Sequence, residues 1–351
     1  MKTVAKLVGG LAFAVVLLVA YNALRHLVFW APTEEVSFES ADGTVLRGSL
    51  IRPSEDGVHA AVVMLHGSGP ESRSGPGYRV LTNAIVRAGV AVLFYDKRGT
   101  GESGGVFDDA SYADFVADGV AAVHFLASLD DIDPDRIGLH GNSEGSWFAP
   151  EIAHTTGQVA FIFNRVGPPM RWMDTVIWEV RNDALAAGVA ESDLKPILDV
   201  TMRRWNYYVD TAREPALTDG PERDAINAEL RRLIDSVPNA DSQLPEALVP
   251  YDAQRYAEIA AQVGYDQTPF LEALDIPMIF TFGDVDINIP TAESVAYLKA
   301  FRERHGKDID IVVFEGVGHP MAHWTGLFYG GYLPGLMALM DDWYSDKAVV
   351  R

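Results

Sequence analysis

The sequence predicts an α/β protein built on a mostly parallel sheet flanked by helices, and two patterns carry that prediction. From Ala60 onward, short apolar runs of strand length alternate with longer stretches whose apolar residues recur at helical spacing, the rhythm of successive β-α-β units. One of those runs passes without a break into a glycine-flanked turn, G-N-S-E-G, with a helical pattern behind it. A strand delivering a polar residue to the mouth of a sheet is where such folds place their chemistry.

Before the alternation begins, residues 35–39 and 45–51 alternate apolar and polar positions around the turn signal Asp42-Gly43, which predicts an antiparallel hairpin. Buried strands are expected at 61–65, 90–95, 136–140, 159–164, 278–282 and 309–314. Helices are expected at 79–88, 112–129, 143–154, 291–305 and 336–343. Between Pro169 and Thr268 long amphipathic stretches rich in Trp, Arg, Asp and Ala contain no buried-strand pattern, so a helical insertion is expected there. The chain thus divides into an N-terminal segment (1–30), a first part of the core (31–168), a helical insertion (169–268) and a second part of the core (269–351).

Composition narrows the function. The 49 Asp and Glu against 28 Lys and Arg give a formal charge of −21, which repels phosphate backbones and argues against nucleic acid as a partner. With no cysteine, thiol nucleophiles, thiolate metal sites and disulfides are excluded. Lys2 and Lys6 precede an apolar run from Leu7 to Tyr21, extended by Ala23, Leu24 and Leu27 to Trp30. No small-x-small cleavage site closes the run, so an uncleaved membrane anchor is expected, with secretion after signal cleavage as the alternative. The leading lysines place the N-terminus in the cytoplasm and the rest of the chain outside it, although Arg25 and His26 on the far flank oppose that orientation.

Four local elements point to nucleophilic acyl chemistry. In IGLHGNSEG, residues 137–145, Ser143 occupies a tight strand-to-helix turn in which side chains at Gly141 and Gly145 would collide with neighbouring backbone. HGSGP, residues 66–70, follows the apolar run AAVVML and supplies an oxyanion loop. The backbone amides of Ser68 and Glu144 are the expected donors, each contributing about 3 kcal/mol to an oxyanion. His66 is expected to brace this loop. After the run PMIFTF stand Asp284 and Asp286; Asp286, deeper in the loop and four residues before Pro290, is the expected acid, and Asp284 the turn-bracing alternative. His319 in FEGVGHP, with Gly316 and Gly318 freeing its loop, completes the order Ser, Asp, His as base. His323 lies at helical spacing from His319, but the segment HPMAH has no Glu in the position zinc sites of that spacing use, and Pro320 interrupts the helix. No metal and no cofactor are expected. His124, His140 and His305 are expected to be structural.

Together these elements resemble the α/β-hydrolase superfamily over essentially the whole chain after about residue 34. YDKRGTGES, residues 95–103, and FNRVGPP, which closes the sixth strand, resemble its bacterial esterase and serine-aminopeptidase-like branch. The resemblance implies a helical lid inserted after the sixth strand, and turn-holding roles for Asp96, Arg98 and Ser103. The chain departs from the pattern at Ser146 and Trp147, where a second glycine often follows the elbow. The expected function is hydrolysis of a carboxylic ester or related acyl bond of a small-molecule substrate through an acyl-enzyme on Ser143. Trp172, Trp178, Trp205, Tyr207 and Tyr208 are candidates for an apolar acyl pocket or for simple packing. An aminopeptidase is the alternative, with Glu179, Asp183 or Glu191 to hold a free amine. A membrane-tethered binding protein without activity is the alternative of another class. The oligomeric state is left open.

Overall fold

The computed structural model describes residues 2–28, 31–54 and 56–349, so Phe29 and Trp30 of the anchor expectation lie outside the described residues. Helix α1, Lys2–Asn22, continues through a wider helical turn, Ala23–Leu27. Strands β1 (Thr33–Glu39), β2 (Val45–Ile51), β3 (His59–Leu65), β4 (Ala91–Tyr95), β5 (Ile132–Asn142), β6 (Val159–Arg165), β7 (Met278–Gly283) and β8 (Ile309–Phe314) form one sheet in the order β1-β2-β4-β3-β5-β6-β7-β8. The β1-β2 and β2-β4 pairs are antiparallel and every other pair is parallel. The expected hairpin and six strands are therefore present; β8, expected to be buried, is only partly so, with Ile309 alone buried, because it forms the edge of the sheet.

Strands β3, β4, β6 and β7 read as largely apolar runs because both faces are covered. On one face Val62, Met64, Val92, Phe94, Phe161 and Phe163 pack against Val80, Leu81 and Ile85 of α2 (Pro76–Arg87) and Leu336, Met340 and Tyr344 of a late helix, Pro334–Tyr344. Leu65, alternate to Met64 along β3, meets Gly119 of α3 (Tyr112–Ala127) and Gly145 of α4 (Glu144–Thr156), so those two helices cover the other face. Ser111 begins α3 with a reciprocal cap, its side chain accepting from the Asp114 amide while the Asp114 carboxylate accepts from the Ser111 amide.

By the density of its contacts the chain divides into two units. The first comprises Met1–Gly167, Phe270–Val285 and Leu298–Arg351 and contains the whole sheet. The second comprises Pro168–Pro269 and Asp286–Tyr297, so the segment after β7 groups with the helices rather than with the sheet. Helices α5 (Trp172–Ala186), α6 (Leu194–Arg213), α7 (Pro221–Ser236) and α8 (Ala253–Val263) lie in the second unit around a core of its own, centred on Ile197, Val200, Ile226, Leu230 and Leu233. Helix α9 is Thr268–Ala273 and α10 is Thr291–His305; the late helix Pro334–Tyr344 is α11.

Candidate active site

Strand β5 ends at Asn142 and α4 begins at Glu144, leaving Ser143 alone in the turn with φ 49° and ψ −114°. That conformation is costly for a residue with a side chain and persists only where its surroundings enforce it. Here the amide of Ser143 donates to the carbonyl of Arg165 at 2.9 Å, and its carbonyl accepts from Ser146 at 2.9 Å. The glycines permit the crossing: a Cβ at Gly141 would stand 2.7 Å from Cα of Ser146, and one at Gly145 2.5 Å from the carbonyl oxygen of His66. Ser146 and Trp147, where the resemblance would put small residues, are buried without disturbing the helix.

His319 stands five residues beyond β8, and its Nε2 is 3.0 Å from Oγ of Ser143. The loop that carries it is tied to the end of β7: the Val285 amide donates to the Val317 carbonyl at 3.3 Å, and the Gly316 amide to Oδ1 of Asp284 at 2.7 Å. Asp284 is exposed and braces this turn, as the alternative reading of that residue anticipated. Asp286 is only 5% exposed, and its Oδ1 accepts from the amides of Asn288 at 2.8 Å and Ile289 at 3.1 Å. Ser143 and His319 are thus joined by a hydrogen bond, and Asp286 is a buried carboxylate held by two backbone donors.

The HGSGP loop lies against the turn, for a Cβ at Gly67 would be 3.6 Å from that of Ser143. The Gly67 amide is engaged, donating to the Tyr78 hydroxyl at 2.8 Å, and that hydroxyl donates to Glu71 at 2.5 Å. Burial, reinforced by the Glu71 carboxylate, pushes the Tyr78 phenol well above its ordinary range, so it stays protonated. Ser68 is exposed, and Glu144 is the first residue of α4, whose leading amides have no partner inside the helix. His66 is stacked on Phe94 at 4.9 Å, and burial, with a smaller contribution from Lys97, holds its pKa down at about 3. A neutral imidazole packed among rings fits the bracing role.

Lys97 is the residue that sequence reasoning passed over. Its buried Nζ donates to the Gly67 carbonyl at 2.9 Å and to Oε2 of Glu144 at 2.7 Å, and it lies 4.4 Å from the centre of the Phe115 ring. One ammonium therefore joins the HGSGP loop to the residue that follows Ser143. The only signal was a lysine two residues past a buried strand in YDKRGTGES. Arg165 is a second omission: its Nε donates to Oδ1 of Asn142 at 2.7 Å and its Nη1 to the Pro320 carbonyl at 3.5 Å, touching the neighbours of both Ser143 and His319.

The remaining expectations can be placed individually. Asp96 accepts from the amides of Arg73 and Glu102, Ser103 donates to the Asp96 carbonyl, and Arg98 pairs with buried Asp118, so all three hold their turn. His140 is buried 2.6 Å from the Tyr344 hydroxyl and is held at a pKa of about 3, chiefly by burial. His305 stacks on Phe301 and His124 is exposed. His323 accepts from the Thr325 amide at the start of a short helix, Trp324–Phe328. Among the described residues no group of three or more His, Asp or Glu is gathered to hold a metal ion. Tyr207 and Tyr208 pack inside the helical unit's own core, Tyr207 donating to the carbonyls of Leu217 and Thr218 and Tyr208 accepting from the Val249 amide. Trp172 packs edge-on against Trp205. For the two tyrosines packing replaces the acyl-pocket reading, because both rings and hydroxyls are already occupied.

Residues 42–325 match the family model described as X-Pro dipeptidyl-peptidase (S15 family). The chain belongs to this family. The chain is 23% identical to esterase EstD of Thermotoga maritima over 83% of its own length and 62% of that protein's. It is 32% identical to the polyketide transferase claH of Penicillium crustosum over 40% of its own length and 46% of that protein's. The chain thus spans less than two thirds of the length of these curated relatives. Among solved structures, the esterase Pf2001 of Pyrococcus furiosus superposes with a TM-score of 0.57 at 14% identity, covering 91% of this chain and 92% of that one. The S15 chain accordingly has the α/β-hydrolase fold.

Proposed function

We propose that this protein is a serine hydrolase that cleaves a carboxylic ester or related acyl bond of a small molecule. The observation that carries the reading is the 3.0 Å contact between Nε2 of His319 and Oγ of Ser143, with Ser143 at φ 49° between a parallel strand and a helix. In this mechanism His319 takes the Ser143 proton as Oγ attacks the acyl carbon, and Asp286 orients the imidazole and stabilises its cation. The amides of Ser68 and Glu144 receive the oxyanion, the leaving group departs with the proton from His319, and water activated by the same histidine releases the acyl group. Burial of the Asp286 carboxylate and the Val285–Val317 bond one residue before it support the role given to the acid. The esterase names of the Thermotoga and Pyrococcus relatives support the ester as substrate.

The S15 match favours a second reading, a peptidase acting on an acyl-peptide bond with the same nucleophile. Glu179, one of the carboxylates suited to an amine, accepts from Nδ2 of Asn288 at 2.9 Å.

Fluorophosphonate labelling of the full chain, peptide mapping of the adduct, and rates on nitrophenyl esters beside amino-acyl and X-Pro anilides test both readings. Labelling at Ser143 with ester turnover is expected. Anilide turnover without ester turnover would replace the esterase by the peptidase, and absence of any adduct on folded protein would leave a binding protein. We further propose that the N-terminal segment anchors the chain in a membrane with the sheet unit on the extracytoplasmic side. The support is a 20-residue apolar stretch, Val8–Leu27, in which His26 alone is buried. Full release by alkaline carbonate would exclude the anchor in favour of a cleaved signal.

A further inference from the structure

The loop that begins at His319 does not return directly to α11. It makes an excursion closed at its base by an antiparallel bridge between Ala322 and Tyr332 and by the Leu333 amide donating to the Met321 carbonyl at 3.0 Å. At its tip the short helix Trp324–Phe328 is capped by His323, so the tip is ordered. Yet its large side chains face outward: Trp324 is 76% exposed, Phe328 58% and Leu327 54%, with Tyr329 beside them. Aqueous surfaces seldom gather four such residues in one turn unless something covers them.

The same tip is fastened to the foot of α1. Nδ2 of Asn22 donates to the Leu327 carbonyl, the Gly330 amide donates to Oδ1 of Asn22 at 3.1 Å, and Nε2 of His26 lies 2.9 Å from the Phe328 carbonyl. The Tyr21 ring meets the Phe328 ring edge-on at 6.0 Å. The exposed turn is therefore continuous with the exposed apolar surface of α1, which includes Leu11, Phe13, Val16, Leu17 and Val19. Beside it, Tyr21, Leu24, Arg25, Asn83 and Arg87 line a cavity of about 520 Å³. Neither arginine forms an ion pair among the described residues, in a chain whose net charge is −21. Tryptophan, tyrosine and arginine at the end of an apolar helix are the groups that suit the headgroup zone of a bilayer.

We propose that residues 324–329 form a second membrane contact, seated in the interfacial zone of the bilayer that α1 enters, with Arg25 and Arg87 facing anionic headgroups. This rests on the reading of α1 as an anchor. It makes the loop that starts at His319 a lipid-facing loop. It also directs the proposed hydrolase towards acyl substrates that partition into the membrane.

Because the chain has no cysteine, single cysteines can be placed cleanly. The full chain carrying Leu327→Cys, Leu17→Cys or Val106→Cys is labelled with an environment-sensitive fluorophore and reconstituted into vesicles of phosphatidylcholine and phosphatidylglycerol. The vesicles contain lipids spin-labelled near the headgroup or near the chain end, and circular dichroism melting verifies the fold of each variant. The expected result is several-fold stronger quenching at Leu327→Cys by the shallow label than at the exposed sheet-unit site Val106→Cys, with Leu17→Cys quenched by the deep label. Quenching at Leu17→Cys alone would overturn the second contact while leaving the anchor. Quenching at neither would overturn both. A blue shift at Leu327→Cys that grows with protein concentration and not with lipid would assign the patch to a second copy of the chain.

Discussion

The two units place their charges differently. In the sheet unit, charged side chains lie inside the protein: Lys97 with Glu144 and Arg165 against Asn142, both beside the turn where Ser143 is strained, and Arg98 with Asp118 of α3. In the helical unit the ion pairs Lys195–Asp199, Arg203–Glu222 and Arg223–Asp219 are solvated, and the interior is leucine, isoleucine and tyrosine. Solvated pairs contribute little to stability and impose little geometry. Buried pairs lose heavily when one partner is removed, and so they hold the groups they connect. The difference suggests that the sheet unit is organised around a fixed arrangement of polar atoms and the helical unit around packing.

That contrast can be broken by experiment, beginning with the largest effect. Ser143→Ala is expected to lower ester turnover by about 10⁶-fold and to abolish fluorophosphonate labelling, with no loss of thermal stability. Steady-state rates and adduct mapping check it. Asp286→Asn is expected to lower kcat by about 10⁴-fold. Asp284→Asn, whose side chain accepts from the Gly316 amide, is expected to leave the rate within about threefold, since a single such hydrogen bond contributes ~1 kcal/mol. A larger loss from Asp284→Asn than from Asp286→Asn would reverse their assignment.

Stability measurements sharpen the comparison between the units. Lys97→Met leaves the Glu144 carboxylate half-buried without its cation and is expected to cost about 3 kcal/mol in urea unfolding. Pairing it with Glu144→Gln should recover part of that loss. His66 and His140, each held at a pKa of about 3 by burial, bind protons more readily in the unfolded chain. Their contribution is present above the unfolded value of 6.5 and is lost as pH falls from there towards 3. At pH 5 the loss is expected to be about 2 kcal/mol per histidine. Residues 168–269 and 286–297 contain no histidine, so this acid sensitivity belongs to the sheet unit alone. Unfolding curves of His66→Phe and His140→Phe across that window should be flatter than those of the unaltered chain. The smallest effect expected is that of Arg203→Ala in the helical unit, below about 1 kcal/mol by the same assay.

Much of this arrangement could be read before folding because it is local in the chain. Strands buried on both faces appear as continuous apolar runs, and Asp42-Gly43 announces its own turn, with Gly43 at φ 82°. Ser143 and His319 were legible for a similar reason. Each sits just beyond a strand, Ser143 between Gly141 and Gly145 and His319 after Gly316 and Gly318, and the order of the motifs along the chain suggested the pairing. The predicted helix ends shift by only a few residues, as with α2, which begins at Pro76 rather than at residue 79 because proline is favoured in a first helical turn.

What the amino-acid order could not determine was which distant groups meet. Lys97 acquires its role from Gly67 and Glu144, which are 30 and 47 residues away, and nothing in its neighbours marks it as more than a turn residue. Tyr207 and Tyr208 looked equally suited to a pocket wall or a core until the helices around them defined an interior. The fastening of the Trp324 turn to Asn22 joins one side chain to backbone groups some 300 residues away. Periodicity and turn chemistry are properties of neighbouring residues, so the sequence alone determined the strands, the elbow and the order of the catalytic candidates. Burial, ion pairing and exposed patches depend on what packs against each group, and only the tertiary structure decided them.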